Sequence, residues 1–301
     1  VRILVTGPAG FVGRVFLRSF SESPQASGDT KLFLLQNVSP VPQDLVHQLS
    51  TWCEVKTISA DLTKPWVFDI EVDYVVNLAA DGTNNPYSEL SNQRYLQING
   101  NLISWVKKTS TVKIIHISSG ICDYFDENPK APVILRGGKT EFARVRKLVE
   151  SMLQEVSGEE SIDYKVLRLY SFIGSELAKI QHYAVNQFIC SAKKQGVIKV
   201  MGNSQTKRSY LLDRDLGSII NRAVFDLNFP SWISVASRYP VTMKELAEII
   251  SQEIPSRVQF LGEHLPVEDY LPIYSKNILP ETSIPTESLT DTIHRMIRET
   301  M

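Results

Sequence analysis

The feature that most restricts what this chain can fold into is its opening stretch, Val1-Arg2-Ile3-Leu4-Val5-Thr6-Gly7-Pro8-Ala9-Gly10-Phe11-Val12-Gly13. Val1 to Val5 is an apolar run broken by one charge, the mark of a strand buried on both faces. It stops at Thr6-Gly7, and Phe11, Val12, Val15, Phe16 and Phe20 then recur at helical spacing. Across that junction Gly7, Gly10 and Gly13 read G-x-x-G-x-x-G. Glycine in these places permits a tight turn, close approach of a pyrophosphate to the backbone, and close packing of helix on strand. The helix start adds free N–H groups and a positive dipole end. The position after a strand and before a helix favours a dinucleotide loop over an ordinary glycine-rich turn.

Strand and helix alternate from there. Lys31 to Leu35 is a second strand, ending at Gln36-Asn37, with no carboxylate or arginine for an adenosine ribose. Residues 54–58 and 73–80 are the next strands, the latter closing on Leu78-Ala79-Ala80. Residues 88–108 form a long helix, 113–118 a fifth strand ending at Ser118-Ser119, 140–156 a second long helix, and 163–169 a sixth strand. The pattern predicts an α/β fold, a doubly wound parallel-sheet Rossmann domain over residues 1–170. Over residues 171–301 the alternation loosens, with helices at 182–196, 211–225 and 242–252. Thr242 and Glu245 form a capping box for the last of these. This half is expected to be a smaller substrate-binding domain, with segments near 213–235 returning to the Rossmann sheet.

A length of 301 residues, 43% hydrophobic and 22% charged, suits a globular chain with a large core. The formal net charge of -1 argues against nucleic acid as partner. No apolar run reaches the about eighteen residues that a membrane helix needs. Cys53, Cys122 and Cys190 lack metal spacing, so no metal site is expected. No signal peptide precedes the first strand, and a cytoplasmic location is the expectation.

Further motifs follow in order: Ala60-Asp61-Leu62, Asn77-Leu78-Ala79-Ala80, Asn99-Gly100, His116-Ile117-Ser118-Ser119, Arg168 with Gly174, and Gly202 to Tyr210 containing Arg208, with Asp215 beyond. Together with the glycine loop and Thr282 to Leu289, they resemble the extended short-chain dehydrogenase/reductase family, in its nucleotide-sugar epimerase and dehydratase branch. The resemblance runs through nearly the whole chain. It implies NAD or NADP bound by Gly7, Gly10, Phe11, Val12, Gly13, Gln36, Asp61, Leu62, Leu78, Ala79, Ala80, Asn99 and Arg146. It implies a nucleotide-sugar substrate met by Ser119, Ser171, Asn186 and Arg208, the last at the diphosphate. Relatives often form homodimers through the two long helices.

The chain departs from the family where the chemistry lies. Its Y-x-x-x-K supplies a tyrosine acid/base and a lysine that lowers the tyrosine pKa. Glu150 sets the register, which puts Phe142 at the tyrosine and Arg146 at the lysine. Sliding by one gives Ala143 and Lys147, and no tyrosine lies between Tyr124 and Tyr164. Phenylalanine has no proton to give, and arginine stays protonated. Two expectations stand. In one, this is an enzyme with a relocated acid/base group, Tyr124 first, with Asp123, Lys139, Glu141 and Cys122 nearby. Ser119 and Arg146 then complete the catalytic set. In the other, the chain binds dinucleotide and sugar nucleotide without turnover. His116, inside its strand, reads as a satisfied core histidine.

Overall fold

The computed structural model describes residues 1–23, 29–37, 39–80, 85–126, 135, 137–177, 183–237, 239–273 and 287–299. Its Cα trace divides into two compact units, Val1–Arg168 with Leu216–Ile233, and Leu169–Asp215 with Ser234–Met301.

The chain begins β1 (Arg2–Thr6), α1 (Phe11–Ser21), β2 (Lys31–Gln36), α2 (Gln43–Ser50), β3 (Glu54–Ser59) and β4 (Tyr74–Asn77). It continues α3 (Glu89–Val106), β5 (Lys113–Ser119), α4 (Ile121–Asp126), α5 (Gly138–Glu160) and β6 (Asp163–Leu169). Then come β7 (Ser171–Ile173), α6 (Ala184–Gln195), β8 (Val197–Val200), β9 (Lys207–Arg208), β10 (Tyr210–Leu212) and α7 (Asp213–Phe225). The last elements are β11 (Trp232–Val235), β12 (Val241–Thr242), α8 (Met243–Glu253), β13 (Arg257–Phe260) and α9 (Leu289–Glu299).

Among the described residues, seven strands form one sheet in the order β11-β6-β5-β4-β1-β2-β3. β1 pairs in parallel with both β2 and β4, β2 with β3, and β4 with β5. This is the expected doubly wound α/β architecture, and the strand order reverses between β1 and β4. In such sheets ligands bind beyond the carboxyl ends of the strands at that reversal. The glycine loop leaves β1 there, and Leu78-Ala79-Ala80 leaves β4 beside it.

The physical reasons for these elements are local. β1, β2 and β4 are runs of Ile, Leu, Val and Phe with buried interiors. α1 buries Val15, Phe16, Leu17 and Phe20 on one side. Ser88 caps α3 by accepting from the Ser91 N–H, and the Thr242–Glu245 capping box opens α8. α3 and α5 pack on one face of the sheet around Tyr95, Leu102, Val145, Val149 and Leu153.

Several elements differ from the sequence reading. β4 ends at Asn77 rather than at residue 80, because the Leu78 and Ala79 N–H groups both donate to Thr6 Oγ1. Leu211 and Leu212 belong to β10, which pairs with β7, so the helix placed at 211–225 begins at Asp213. The two long helices are Glu89–Val106 and Gly138–Glu160, the second longer at both ends than expected. α2 and α4 were not foreseen. Of the family-like closing stretch, residues 282–286 lie outside the described residues.

Candidate active site

Three glycines shape the loop after β1, each for a different steric reason. Gly7 has φ 63°, and a Cβ there would stand 2.8 Å from both Ala79 Cα and Leu78 O. A Cβ on Gly13 would lie against Gly7 O and Pro8, so helix and loop touch backbone to backbone there. Gly10 is different: its nearest neighbour would be Gly7 O at 3.4 Å, ordinary contact distance. Gly10 is also the N-cap of α1, with no side chain capping the helix and no acidic residue in the first turn. Such a helix start, open on the Gly10 side, fits a phosphate group. Phe11 is buried beneath it and Val12 is half-buried. Thr6 Oγ1 donates to Asn77 Oδ1 at 2.7 Å while accepting from Leu78 and Ala79, which fixes the loop to the end of β4.

At the end of β2, Gln36 Oε1 accepts from the Val41 N–H at 3.0 Å, so the amide oxygen closes the following turn. The Gln36 carbonyl accepts from Ala60 N, next to Asp61. The Asp61 carboxylate accepts from the Thr63 hydroxyl at 2.8 Å and Thr63 N at 3.0 Å, and these bonds hold its pKa below the usual range. Leu62 is buried, and its carbonyl takes bonds from Trp66 and Asn101.

Beyond β4 lies a buried polar chain that sequence reading saw only in pieces. Asn77 Nδ2 donates to Asn99 Oδ1 at 2.8 Å and stands 2.9 Å from His116 Nδ1. Asn99 Nδ2 donates to the Tyr95 carbonyl, and Tyr95 Oη lies 2.9 Å from His116 Nε2. Asn77 presents its amide N–H to His116, so Nδ1 accepts and Nε2 carries the proton to Tyr95. Burial pushes the His116 pKa down to about 4, consistent with a neutral ring, the satisfied core histidine expected from sequence. Tyr95 and Asn99 stand four residues apart on one face of α3, a spacing legible in the sequence.

Arg146 sits over the Tyr95 ring, with Cζ 3.3 Å from its centroid, and 4.1 Å from the centroid of Phe142 one turn earlier. The guanidinium is stacked between two aromatic faces, an arrangement suited to arginine rather than lysine. Phe142 in turn meets Tyr87 edge-on, centroids 5.3 Å apart. Ser119 ends β5, and its Oγ accepts weakly from Ile121 N at 3.4 Å. Tyr124 lies half-buried on α4.

Other acid/base candidates are committed elsewhere. Asp123 is fully buried and bonded to Arg168 Nη1. Arg168 also holds Glu150, through Nε at 2.9 Å and through Nη2, while Ser118 donates to Glu150 at 2.6 Å. Burial pushes Glu150 up, but the Arg168 hydrogen bonds and charge outweigh that, leaving its pKa below the usual value. Glu141 pairs with Arg144 at the surface. Burial pushes the Cys122 thiol up to about 12, which makes it inert.

In the second unit, Ser171 lies in β7 opposite Tyr210, and Asn186 is buried on α6. Arg208 is in β9, and its Nη1 donates to the carbonyls of Lys207 at 2.9 Å and Glu268 at 2.6 Å. The rings of Tyr170 and Tyr270 lie 4.8 Å apart. Among the described residues no cluster of His, Cys, Asp and Glu suits a metal, and no helix is long and apolar enough to cross a membrane.

Known proteins share this fold. UDP-glucuronic acid decarboxylase 1 of Danio rerio is 22% identical over 274 residues, 87% of this chain. The chain spans 63% of that relative's length. Crystallised UDP-glucuronic acid 4-epimerase from Bacillus cereus, in complex with UDP-glucuronic acid and NAD, has TM-score 0.75 at 17% identity, covering 100% of this chain and 99% of its own. A dTDP-glucose 4,6-dehydratase from Streptomyces venezuelae with NAD bound has TM-score 0.77 at 15% identity, covering 99% and 96%. Residues 3–227 match the family model described as NAD dependent epimerase/dehydratase family, and the chain belongs to that family.

Proposed function

We propose that this chain is an NAD(P)-dependent enzyme of nucleotide-sugar epimerisation, dehydration or a related reaction, with its acid/base group away from the usual tyrosine. The observation that carries the reading is the glycine loop, closed by backbone at Gly7 and Gly13 and open at Gly10. A bound dinucleotide supplies a hydride acceptor. Gly7, Gly10, Phe11, Val12 and Gly13 at the start of α1 would hold its pyrophosphate, Gln36, Asp61 and Leu62 its adenosine, and Leu78, Ala79 and Ala80 would line the rest of its site. Asn99 holds the loop through Asn77, and Arg146 supplies positive charge for the nicotinamide ribose. Ser119 donates to the reacting sugar oxygen. Ser171, Asn186 and Arg208 of the second unit bind the sugar nucleotide, Arg208 at the diphosphate. The exposed Leu90 and Leu148, on α3 and α5, support a homodimer through those helices. The free cysteines Cys53, Cys122 and Cys190 suit a reducing cytoplasm.

Calorimetry with NAD and NADP tests the cofactor, and NADH absorbance on adding UDP-glucuronic acid, UDP-glucose or UDP-N-acetylglucosamine tests turnover. A second reading, binding without turnover, is supported by Phe142 in the tyrosine register and by the burial of Asp123 against Arg168. Tightly held NAD, spectrally silent to all three sugar nucleotides, decides for it.

A further inference from the structure

The missing tyrosine leaves a hydroxyl-shaped question at Phe142, and a phenol stands beside it. We infer that Tyr87 provides the acid/base hydroxyl that the Phe142 position lacks, an inference that rests on the turnover proposed above. Tyr87 comes from a different element, the turn that precedes α3. Its ring meets the Phe142 ring edge-on at 5.3 Å, with the planes 71° apart. Phe142 lies 4.1 Å from the Arg146 guanidinium, so the phenol is one ring away from the charge that replaces the family's lysine.

The backbone holds Tyr87 in place from both sides. Tyr87 N donates to Asn85 Oδ1 at 3.2 Å, and Ser88, the N-cap of α3, donates its N–H to Asn85 O. On the other side is Gly138, at the start of α5. A Cβ there would stand 2.6 Å from Tyr87 O and 3.1 Å from Tyr87 Cβ, so this close approach requires glycine. The Tyr87 backbone therefore stands at the N-terminal ends of two helices, fixed between α3 and α5. It is also 43% exposed, open to a ligand. Tyr95, the phenol stacked on Arg146, is only 2% exposed, and its oxygen is bonded to His116; burial holds its pKa above the ordinary value. Tyr95 orients the arginine, and Tyr87 has the access that proton transfer needs.

The step balances. The Tyr87 phenolate takes the proton of the sugar hydroxyl as the electron pair of that carbon's C–H bond leaves as hydride. Alcohol becomes ketone, phenolate becomes phenol, and NAD becomes NADH. In the reverse direction the same phenol returns the proton.

The test uses the full chain with NAD and UDP-glucuronic acid, UDP-glucose or UDP-N-acetylglucosamine as probes. Tyr87→Phe should lower the single-turnover rate of NADH formation about a hundred- to ten-thousand-fold, leaving NAD affinity by calorimetry within about twofold. Adding Phe142→Tyr to that variant should restore part of the rate. Acetylation of the Tyr87 hydroxyl by N-acetylimidazole, mapped by mass spectrometry, should be suppressed when NAD and the sugar nucleotide are bound. A Tyr87→Phe variant that keeps its rate, or a loss that falls on Tyr124→Phe instead, overturns the inference. Undiminished acetylation in the presence of both ligands overturns it too. Wild-type chain that forms NADH with none of the three probes overturns the turnover reading, and protection from acetylation still decides whether Tyr87 faces the ligands.

Discussion

Gly7 and Gly10 look alike in sequence and carry opposite burdens. Gly7 has positive φ and sits on the backbone of Leu78 and Ala79, so a methyl group there strains the fold itself. Gly7→Ala should cost about 2–4 kcal/mol of stability. Gly10→Leu meets only an ordinary contact at its Cβ, so thermal unfolding should stay close to wild type while NAD binding is lost. A Gly10→Leu variant with normal NAD affinity by calorimetry removes the proposed pyrophosphate site. His116 gives a second residue-scale test. Its folded pKa, about 4, lies below the ordinary 6.5, so the unfolded chain takes up the proton first. Stability from the neutral ring is complete above about pH 6.5 and is lost as pH falls toward about 4, an effect of order 3 kcal/mol. The melting-temperature deficit of His116→Asn relative to wild type should therefore shrink between pH 7 and pH 5. A constant deficit counts against the buried neutral ring. The sequence showed Asn77 and His116 in two separate motifs. That Asn77 hands its N–H to a histidine one strand over depends on the register Asn77↔His116, which no local pattern encodes.

At the scale of elements, Arg168 is the pin. From β6 it reaches Asp123 on α4 and Glu150 on α5, with Trp232 of β11 4.5 Å from its Cζ. The Arg168–Asp123 and Arg168–Glu150 pairs are almost wholly shielded from water. Removing one partner of a buried pair typically costs about 3–5 kcal/mol because the others stay charged and unpaired. Arg168→Met should lose that much in urea unfolding, while Arg168→Met with Asp123→Asn and Glu150→Gln should recover part of it. A single variant within 1 kcal/mol of wild type contradicts the pin. This is also where sequence reading stopped short. The capping box of α8 and the apolar stripe of α1 are local signals and were legible. α4 spans only six residues, and α2 buries just Leu45 and Leu49 behind Pro40 and Pro42, so neither offers a usable period. The role of Asp123 was illegible for the same reason: its partner lies 45 residues away.

At the scale of the whole molecule, the strand–helix alternation was enough to foresee a doubly wound sheet, because each element carries its own pattern. The first unit is closed by Leu216–Ile233, which lies within the stretch near 213–235 that the sequence reading expects to return to the sheet. Those residues supply structural parts of that unit. Phe225 stacks on Phe20 with centroids 6.1 Å apart, and Asn221 donates to Ser19 Oγ at 2.8 Å. The buried amine of Lys113 donates to the Val224 carbonyl at 3.1 Å, and burial already holds its pKa down. Gly217 lies so close to Ser19 and the Val15 carbonyl that no larger residue fits. A fragment of residues 1–170 therefore exposes Phe20 and takes the Val224 carbonyl from Lys113, although it contains the entire glycine loop and every strand from β1 to β6. It should show no cooperative thermal transition and no measurable NAD binding. A fragment of residues 1–235 restores the missing helix and β11 and should regain both. If residues 1–170 alone melt cooperatively and bind NAD as the full chain does, the returning segment is an appendage, and the dinucleotide unit is complete where the simple alternation ends.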